Sequence, residues 1–260
     1  MTGIEFDGYR AEITRQAGLL NAAIAGQDMT TRVPTCPDWN VGQLIRHVGG
    51  ALNWTTTVAR ERATGPVPDD FRDLSAFTDE DASVLGPWLE SVAERLGAQL
   101  REVGPGYPLW SPVGAGGSDF HARRMAHEIL VHRADAELAL GREFTAVPVI
   151  AADAIDEWMF LGSMPFLFEV DPSKRELLGA GRTVRLSATD TEAGWLIDLT
   201  GDAITWSRDT AGPDPLVTLR GPVTELLLVV YRRKALPDTT IGVSGDRDFL
   251  DFWLDRIAFG

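Results

Sequence analysis

The sequence predicts a helical bundle followed by a small α+β domain, and three observations carry that expectation. Apolar residues recur at steps of three and four through roughly the first two thirds of the chain, the spacing of helices with one buried face. Alternating, β-branched runs punctuated by turn residues begin only beyond Asp171-Pro172. The length of 260 residues has room for two modest domains, and the pattern change places them at 1–168 and 169–260.

Tyr9, Ile13, Ala17, Leu20 and Ile24 make the first amphipathic stripe, over about 6–25. Pro34 and Pro37 exclude a helix from the following turn-rich segment, 27–39. Asn40 is an expected N-cap, and Gln43 three residues later completes a capping box for a second helix carrying Val41, Leu44, Ile45, Val48 and Leu52. His47 lies beside Leu44 and Val48 and is expected on the inward side of that helix. After a polar stretch, 65–79, Val84, Trp88, Val92, Leu96 and Leu100 predict a third helix. A loop rich in Gly and Pro, 104–117, ends at Ser118, the expected cap of a fourth helix that runs to Leu140 and stops at Gly141. A fifth helix follows Pro148 through Ile155, Trp158 and Met159 toward Phe168, and is assigned to the bundle.

In the second domain, 183–189 and 195–199 flank turn-forming residues and predict a hairpin. Two further strands are expected at 203–207 and 215–219. Gly221-Pro222 opens a helix through Leu226, Leu227, Val230 and Tyr231, a short strand covers 240–243, and a last amphipathic helix spans 246–257.

The net charge of −14 argues against nucleic-acid affinity, because phosphate binding needs a basic face to release counterions. Cys36, the single cysteine, excludes an internal disulfide and any Cys-rich zinc module. The first residues lack the basic start and apolar run of a signal peptide, and no membrane-spanning stretch is present, so a cytoplasmic protein without a membrane partner is expected.

Glu128 and His132, four residues apart, share one face of the fourth helix. With His47 they would supply two imidazoles and a carboxylate while leaving a coordination position open, the arrangement of a catalytic metal. The competing reading is an exposed Glu–His pair worth a few tenths of a kcal/mol. His121, Glu128, His132 and Asp135 form one titratable stripe beside Met125, Val131 and Leu138, which favours a site inside the bundle. His121 is a candidate for contacting a cofactor or acting as a further ligand, whereas His127 is rotated about 100° from Glu128 and is expected to pack elsewhere. Cys36 precedes His47 by roughly 10 Å along the helix, so it is expected to be a small buried residue. Trp39 is expected in the core. Tyr231-Arg232-Arg233-Lys234 ends a helix with three cations, which either complement the helix dipole or clamp a carboxylate.

The segment Val33-Pro34-Thr35-Cys36-Pro37-Asp38-Trp39-Asn40-Val41, leading to His47-Val48-Gly49-Gly50, resembles the N-terminal signature of the mycothiol-dependent maleylpyruvate isomerase family of actinobacteria. Arg124-Met125-Ala126-His127-Glu128 through His132-Arg133-Ala134-Asp135-Ala136-Glu137 resembles its second signature, and 219–233 with Val243-Ser244-Gly245-Asp246 is similar to its small C-terminal domain. The resemblance implies a DinB-like four-helix bundle that holds a divalent metal, usually zinc, through His47, Glu128 and His132. It also implies that the small domain supplies an arginine, matching Arg233 or Arg232. The residue before that arginine is often glycine in the family, so Arg232 is a departure.

The function so implied is thiol activation for attack on an electrophilic small molecule, by cis–trans isomerisation or thiol transfer, with mycothiol as cofactor or co-substrate. Zinc is the expected ion, with iron or nickel as alternatives, since ligand type does not select the metal. Arg233 or Arg232 would hold a substrate carboxylate, and the protein is expected as a monomer or homodimer. The alternative is a non-catalytic metal-containing protein that carries a small apolar ligand, because sterol-carrier-like α+β domains are similar to the second half.

Overall fold

A computed structural model describes residues 3–69, 72–114, 116–208 and 214–257. The chain divides into a helical unit, Gly3–Phe144, and a mixed unit that begins at Thr145.

The helical unit contains α1 (Phe6–Ile24), α2 (Val41–Arg60), α3 (Ala82–Val103) and α4 (Ser118–Ala139). Helices α1 and α2 each pack on both α3 and α4, so the bundle runs α1, α3, α2, α4 around its axis. The first stripe is buried as expected, with Ile13, Ala17, Leu20 and Ile24 sealed against α3 and α4. In α3 the buried stripe runs through Ala82, Leu85, Leu89, Val92, Leu96 and Leu100, while Val84 is 59% exposed. The capping box of α2 is present in full: Gln43 N donates to Asn40 Oδ1 at 2.8 Å and Asn40 N donates to Gln43 Oε1 at 2.9 Å. Helix α4 starts one residue earlier than expected. Gly117 is its N-cap, and the Ser118 hydroxyl instead accepts from Tyr107 N at 3.1 Å. Its end follows expectation, since Gly141 at φ 68° closes a Schellman turn through Arg142 N to Glu137 O and Gly141 N to Leu138 O.

Helix α4 is the centre of the bundle. It buries polar residues among them His121, His127, His132, Arg133 and Asp135 as well as apolar ones, so its inner surface carries charge that the remaining helices must neutralise. Arg133 is satisfied by Gln16 Oε1 and Glu137 Oε1, both at 2.7 Å, and its guanidinium lies over the Phe144 ring.

The mixed unit contains α5 (Pro148–Gly162), α6 (Leu167–Val170), a 3₁₀ turn (Pro172–Leu177), β1 (Thr183–Ala188), β2 (Gly194–Asp198), β3 (Thr205–Ser207), β4 (Val217–Gly221), α7 (Val223–Val230), β5 (Gly242–Gly245) and α8 (Arg247–Arg256). The sheet order is β3-β2-β1-β4-β5, with β1 and β4 parallel and the other pairs antiparallel. Val184, Leu186 and Ala188 alternate into its core, as do Val217 and Leu219.

The boundary at 144/145 differs from the expected 168/169, because α5 belongs with the sheet. It packs on α7, and its buried Asp156 accepts from Trp195 Nε1 of β2 at 2.8 Å and from Arg208 Nε at 2.7 Å. Periodicity announces a helix but not the surface it covers. Among the described residues, no helix is long and apolar enough to cross a membrane.

Candidate metal centre

The capping box starts α2 in a defined register, which brings His47 on its second turn against α4. There the 3.6-residue period sets Glu128 and His132 one turn apart on the facing side. His47 Nε2 lies 3.2 Å from Glu128 Oε1, and His132 Nε2 lies 3.3 Å from the same oxygen. One donor atom from each residue falls within 4.8 Å of the others. The two imidazoles meet edge to face at 5.1 Å, and the Trp39 ring lies 4.6 Å from His47. Trp39 is half-buried: it packs against the bundle core, as expected, but also keeps one side against the centre instead of being sealed inside.

Surrounding side chains hold the three donors in place. Arg124 Nη2 donates to Glu128 Oε2 at 2.6 Å, which leaves Oε1 for the point shared with the imidazoles. His132 Nδ1 lies 2.8 Å from Asp135 Oδ2, a fully buried carboxylate whose Oδ1 accepts from Thr35 Oγ1 at 2.6 Å. With its Nδ1–H donated to Asp135, His132 presents a lone pair on Nε2, the carboxylate–histidine arrangement that orients metal-binding imidazoles.

The electrostatics favour a cation here. Burial acts to raise the Glu128 carboxyl, yet the charge of Arg124 and the bonds to His132 and His47 hold it well below the ordinary carboxylate range. Burial acts to lower His132, yet its contacts with Asp135, Cys36 and Glu128 hold it well above the ordinary imidazole range. Two carboxylates, Asp135 buried and Glu128 half-buried, against one guanidinium call for positive charge, which a proton on His132 or a divalent ion can supply. Two nitrogens and a carboxylate oxygen with an oriented imidazole make a donor set that suits a divalent transition ion.

Cys36 is half-buried, where a buried residue was expected, and it stands nearer the centre than its distance along the chain suggested. Residues 31–41 fold into a tight loop, with Arg32 bridged to Asn40, Val33 N bonded to Trp39 O, and Val41 N bonded to Thr31 O. The tip of that loop returns to α4, where Cys36 Sγ stands 3.7 Å from Asp135 Oδ2 and forms a second potential donor group with His132 and Asp135. The estimate of 10 Å assumed a chain continuing along the helix axis, whereas the loop reverses. Thr35 and Arg124 are the neighbours of the centre that sequence reasoning did not single out. The Arg124–Glu128 spacing of four was the available signal.

His121 is buried, donates from Nε2 to Trp110 O at 2.9 Å and lies 6.1 Å from the Trp54 ring. Burial pushes its pKa down, and it stands outside both donor groups found among the described residues. His127 packs elsewhere, edge-on to Tyr9.

Arg232 and Arg233 lie in the mixed unit, in the turn that ends α7. Arg233 N bonds to Leu228 O and Arg232 N to Val229 O, a Schellman turn that places Arg232 at φ 60°. That backbone conformation favours glycine, so an arginine here holds a strained backbone. Arg232 pairs with Asp255 at 3.4 Å, and Arg233 Nη1 donates to Tyr231 O at 2.8 Å.

Residues 9–137 match the family model described as the mycothiol maleylpyruvate isomerase N-terminal domain. Among solved structures, a mycothiol-dependent maleylpyruvate isomerase superposes with a TM-score of 0.62 at 13% identity, covering 92% of this chain and 93% of that one. A histidine-to-alanine mutant of the mycothiol-dependent maleylpyruvate isomerase superposes with a TM-score of 0.61 at 12% identity, with the same coverage. At such identities the likeness is one of fold. No curated protein sequence matches the chain.

Proposed function

Since the chain belongs to the family of the mycothiol maleylpyruvate isomerase N-terminal domain, we propose that it is a divalent-metal enzyme that uses mycothiol to act on an electrophilic small molecule. The observation that carries this reading is the convergence of His47 Nε2, Glu128 Oε1 and His132 Nε2, with the far nitrogen of His132 anchored on Asp135. His47, Glu128 and His132 would hold the ion, for which zinc is the proposed identity. The ion would supply Lewis acidity that lowers a thiol pKa, and mycothiol would supply a sulfur nucleophile for reversible addition to an activated double bond or for transfer.

The residues of the chain have separate tasks in this scheme. Arg124 keeps Glu128 ionised, so the centre retains its negative charge without a proton. Asp135 fixes the His132 tautomer, and Thr35 in turn fixes Asp135. Trp39 shields His47 from solvent, which strengthens every electrostatic contact beside it. Arg233 or Arg232 would take a substrate carboxylate, for which a planar guanidinium suits both oxygens. The reaction would take place in the cytoplasm, where small thiols are kept reduced.

The apolar-carrier reading fares worse. The cavity of the mixed unit walled by Trp158, Leu167, Ile197 and Trp253 measures about 30 Å³. Ligand pockets are about 300–1,000 Å³.

The test is metal analysis of protein purified without chelator, beside the His47→Ala/His132→Ala double variant. Wild type is expected to carry about one equivalent of divalent metal and the double variant almost none; equal contents would remove the site. Turnover of maleylpyruvate, and of a panel of other electrophiles, with and without mycothiol, then separates a dedicated isomerase from a broad thiol transferase.

A further inference from the structure

The loop that carries Cys36 brings a second set of donors to the far side of His132. Cys36 Sγ, an oxygen of Asp135 and a ring nitrogen of His132 converge within 4.8 Å, as the donors of His47, Glu128 and His132 do. His132 is common to both sets but turns a different nitrogen to each. Its Nε2 lies 3.3 Å from Glu128 Oε1, and its Nδ1 lies 2.8 Å from Asp135 Oδ2. In the proposed mechanism Asp135 orients the imidazole, and the thiol has no task.

The thiol is held in place by its own loop. Cys36 N donates to Val33 O at 3.0 Å and Cys36 O accepts from Trp39 N at 2.9 Å, so its backbone is fixed on both sides. Thr35 Oγ1 donates to Asp135 Oδ1 at 2.6 Å, which locks the loop onto the carboxylate and leaves Oδ2 facing Sγ at 3.7 Å. Metal bonds of about 2.3 Å to sulfur and about 2.1 Å to oxygen, at a tetrahedral angle, separate the two donors by about 3.6 Å. Sγ and Oδ2 therefore already stand an ion's span apart. Nδ1 and Oδ2 are at the 2.8 Å of a hydrogen bond, against about 3.4 Å across an ion, and need to open by about 0.6 Å when the ion replaces the bridging proton. Asp135 and His132 are buried and Cys36 is half-buried, so the sulfur is the most accessible of the three donors.

We propose that Cys36, His132 and Asp135 form a second cation site, selective for a thiophilic divalent ion, and that its occupation empties the first. Sulfur supplies the selectivity, because a thiolate prefers soft and borderline ions over hard ones. The exclusion follows from the shared ring. A neutral imidazole has a single lone pair, so it serves one ion at a time. An ion on Nδ1 sends the ring proton to Nε2, which then faces Glu128 as a donor, and only His47 and Glu128 remain where three residues held the first ion. The thiol proton passes to solvent, so one proton is released for each ion bound. A soft ion entering at Cys36 thus silences the centre from behind.

Cadmium is the probe, since its thiolate complexes carry an ultraviolet charge-transfer band that its oxygen and nitrogen complexes lack. The full chain, stripped of metal, is titrated as wild type, as His47→Ala/Glu128→Gln, which keeps only the second donor set, and as His132→Ala. Wild type and the double variant are expected to develop the band to saturation at about one equivalent, with His132→Ala binding about 100-fold more weakly. In zinc-loaded wild type the band is expected to grow as about one equivalent of zinc is released to an indicator, while Cys36→Ser keeps most of its zinc at the same cadmium concentration. No band in wild type and the double variant, or a midpoint unmoved in His132→Ala, overturns the site. Zinc retained while the band grows overturns the exclusion. A wild type that takes up no zinc, beside a double variant that binds cadmium, overturns the functional reading and leaves the second site standing.

Discussion

Asp135 and His132 are joined by a 2.8 Å hydrogen bond that decides which imidazole nitrogen faces Glu128. Replacing Asp135 by Asn keeps the shape and removes the charge that makes His132 a basic ligand. Metal affinity, read by competition with a chromophoric chelator, is expected to fall about 10- to 100-fold. An unchanged affinity would show that the His132 orientation does not depend on this carboxylate.

Arg124 is the cationic partner that keeps Glu128 ionised. In Arg124→Met the Glu128 pKa rises, so a proton competes with the metal at a higher pH than in the wild type. Metal release followed during acid titration is expected to have its midpoint moved toward neutrality. A midpoint that stays in place would assign the ionisation of Glu128 to the histidines alone.

His121 gives a pH signature in stability. Burial holds its folded pKa below the unfolded value, so the unfolded chain binds more protons as the pH falls. The contribution of His121 is therefore complete above the unfolded value of about 6.5 and is lost as the pH drops through the folded one. His121→Gln keeps a donor for Trp110 O and removes the titration, so its urea midpoint should fall less steeply between neutral and mildly acidic pH. Parallel profiles for the two proteins would refute the assignment.

Gly49 is required by the closeness of Trp88, whose Cη2 lies 2.2 Å from the position a Cβ would take. Gly49→Ala is expected to cost about 1–3 kcal/mol through overpacking, seen as a lower Tm. A Tm equal to wild type would mean that the indole moves aside freely.

Arg232 holds a left-handed backbone at φ 60° in the turn after α7. Arg232→Gly removes a strain of about 1–2 kcal/mol while making the unfolded chain more flexible, for a net gain of about 1 kcal/mol. Denaturant unfolding reads this directly. A loss of stability would place greater weight on the Arg232–Asp255 pair.

Local rules made much of the fold legible. The Asn40–Gln43 box, the stop at Gly141, the buried stripe from Ile13 to Ile24 and the strand alternation near Val184 each depend on neighbours within a few residues, and each is present. The same holds for Glu128 and His132, whose common face follows from helix geometry alone. Where a partner lies far along the chain, sequence patterns carried less. The side of the boundary on which α5 falls is decided by the bonds from Trp195 and Arg208 to Asp156, 39 and 52 residues away.

By itself, the sequence indicated the four bundle helices, the β1–β2 hairpin and the common helix face of Glu128 and His132, because repeat spacing and capping chemistry act over one or two turns. Only the tertiary structure decided that the Thr35–Cys36 loop reaches Asp135 across about 100 residues of chain, closing the shell behind His132. The physical reason is that loop reversal depends on bonds such as Val33 N to Trp39 O and on a place to dock, neither of which has a period to read.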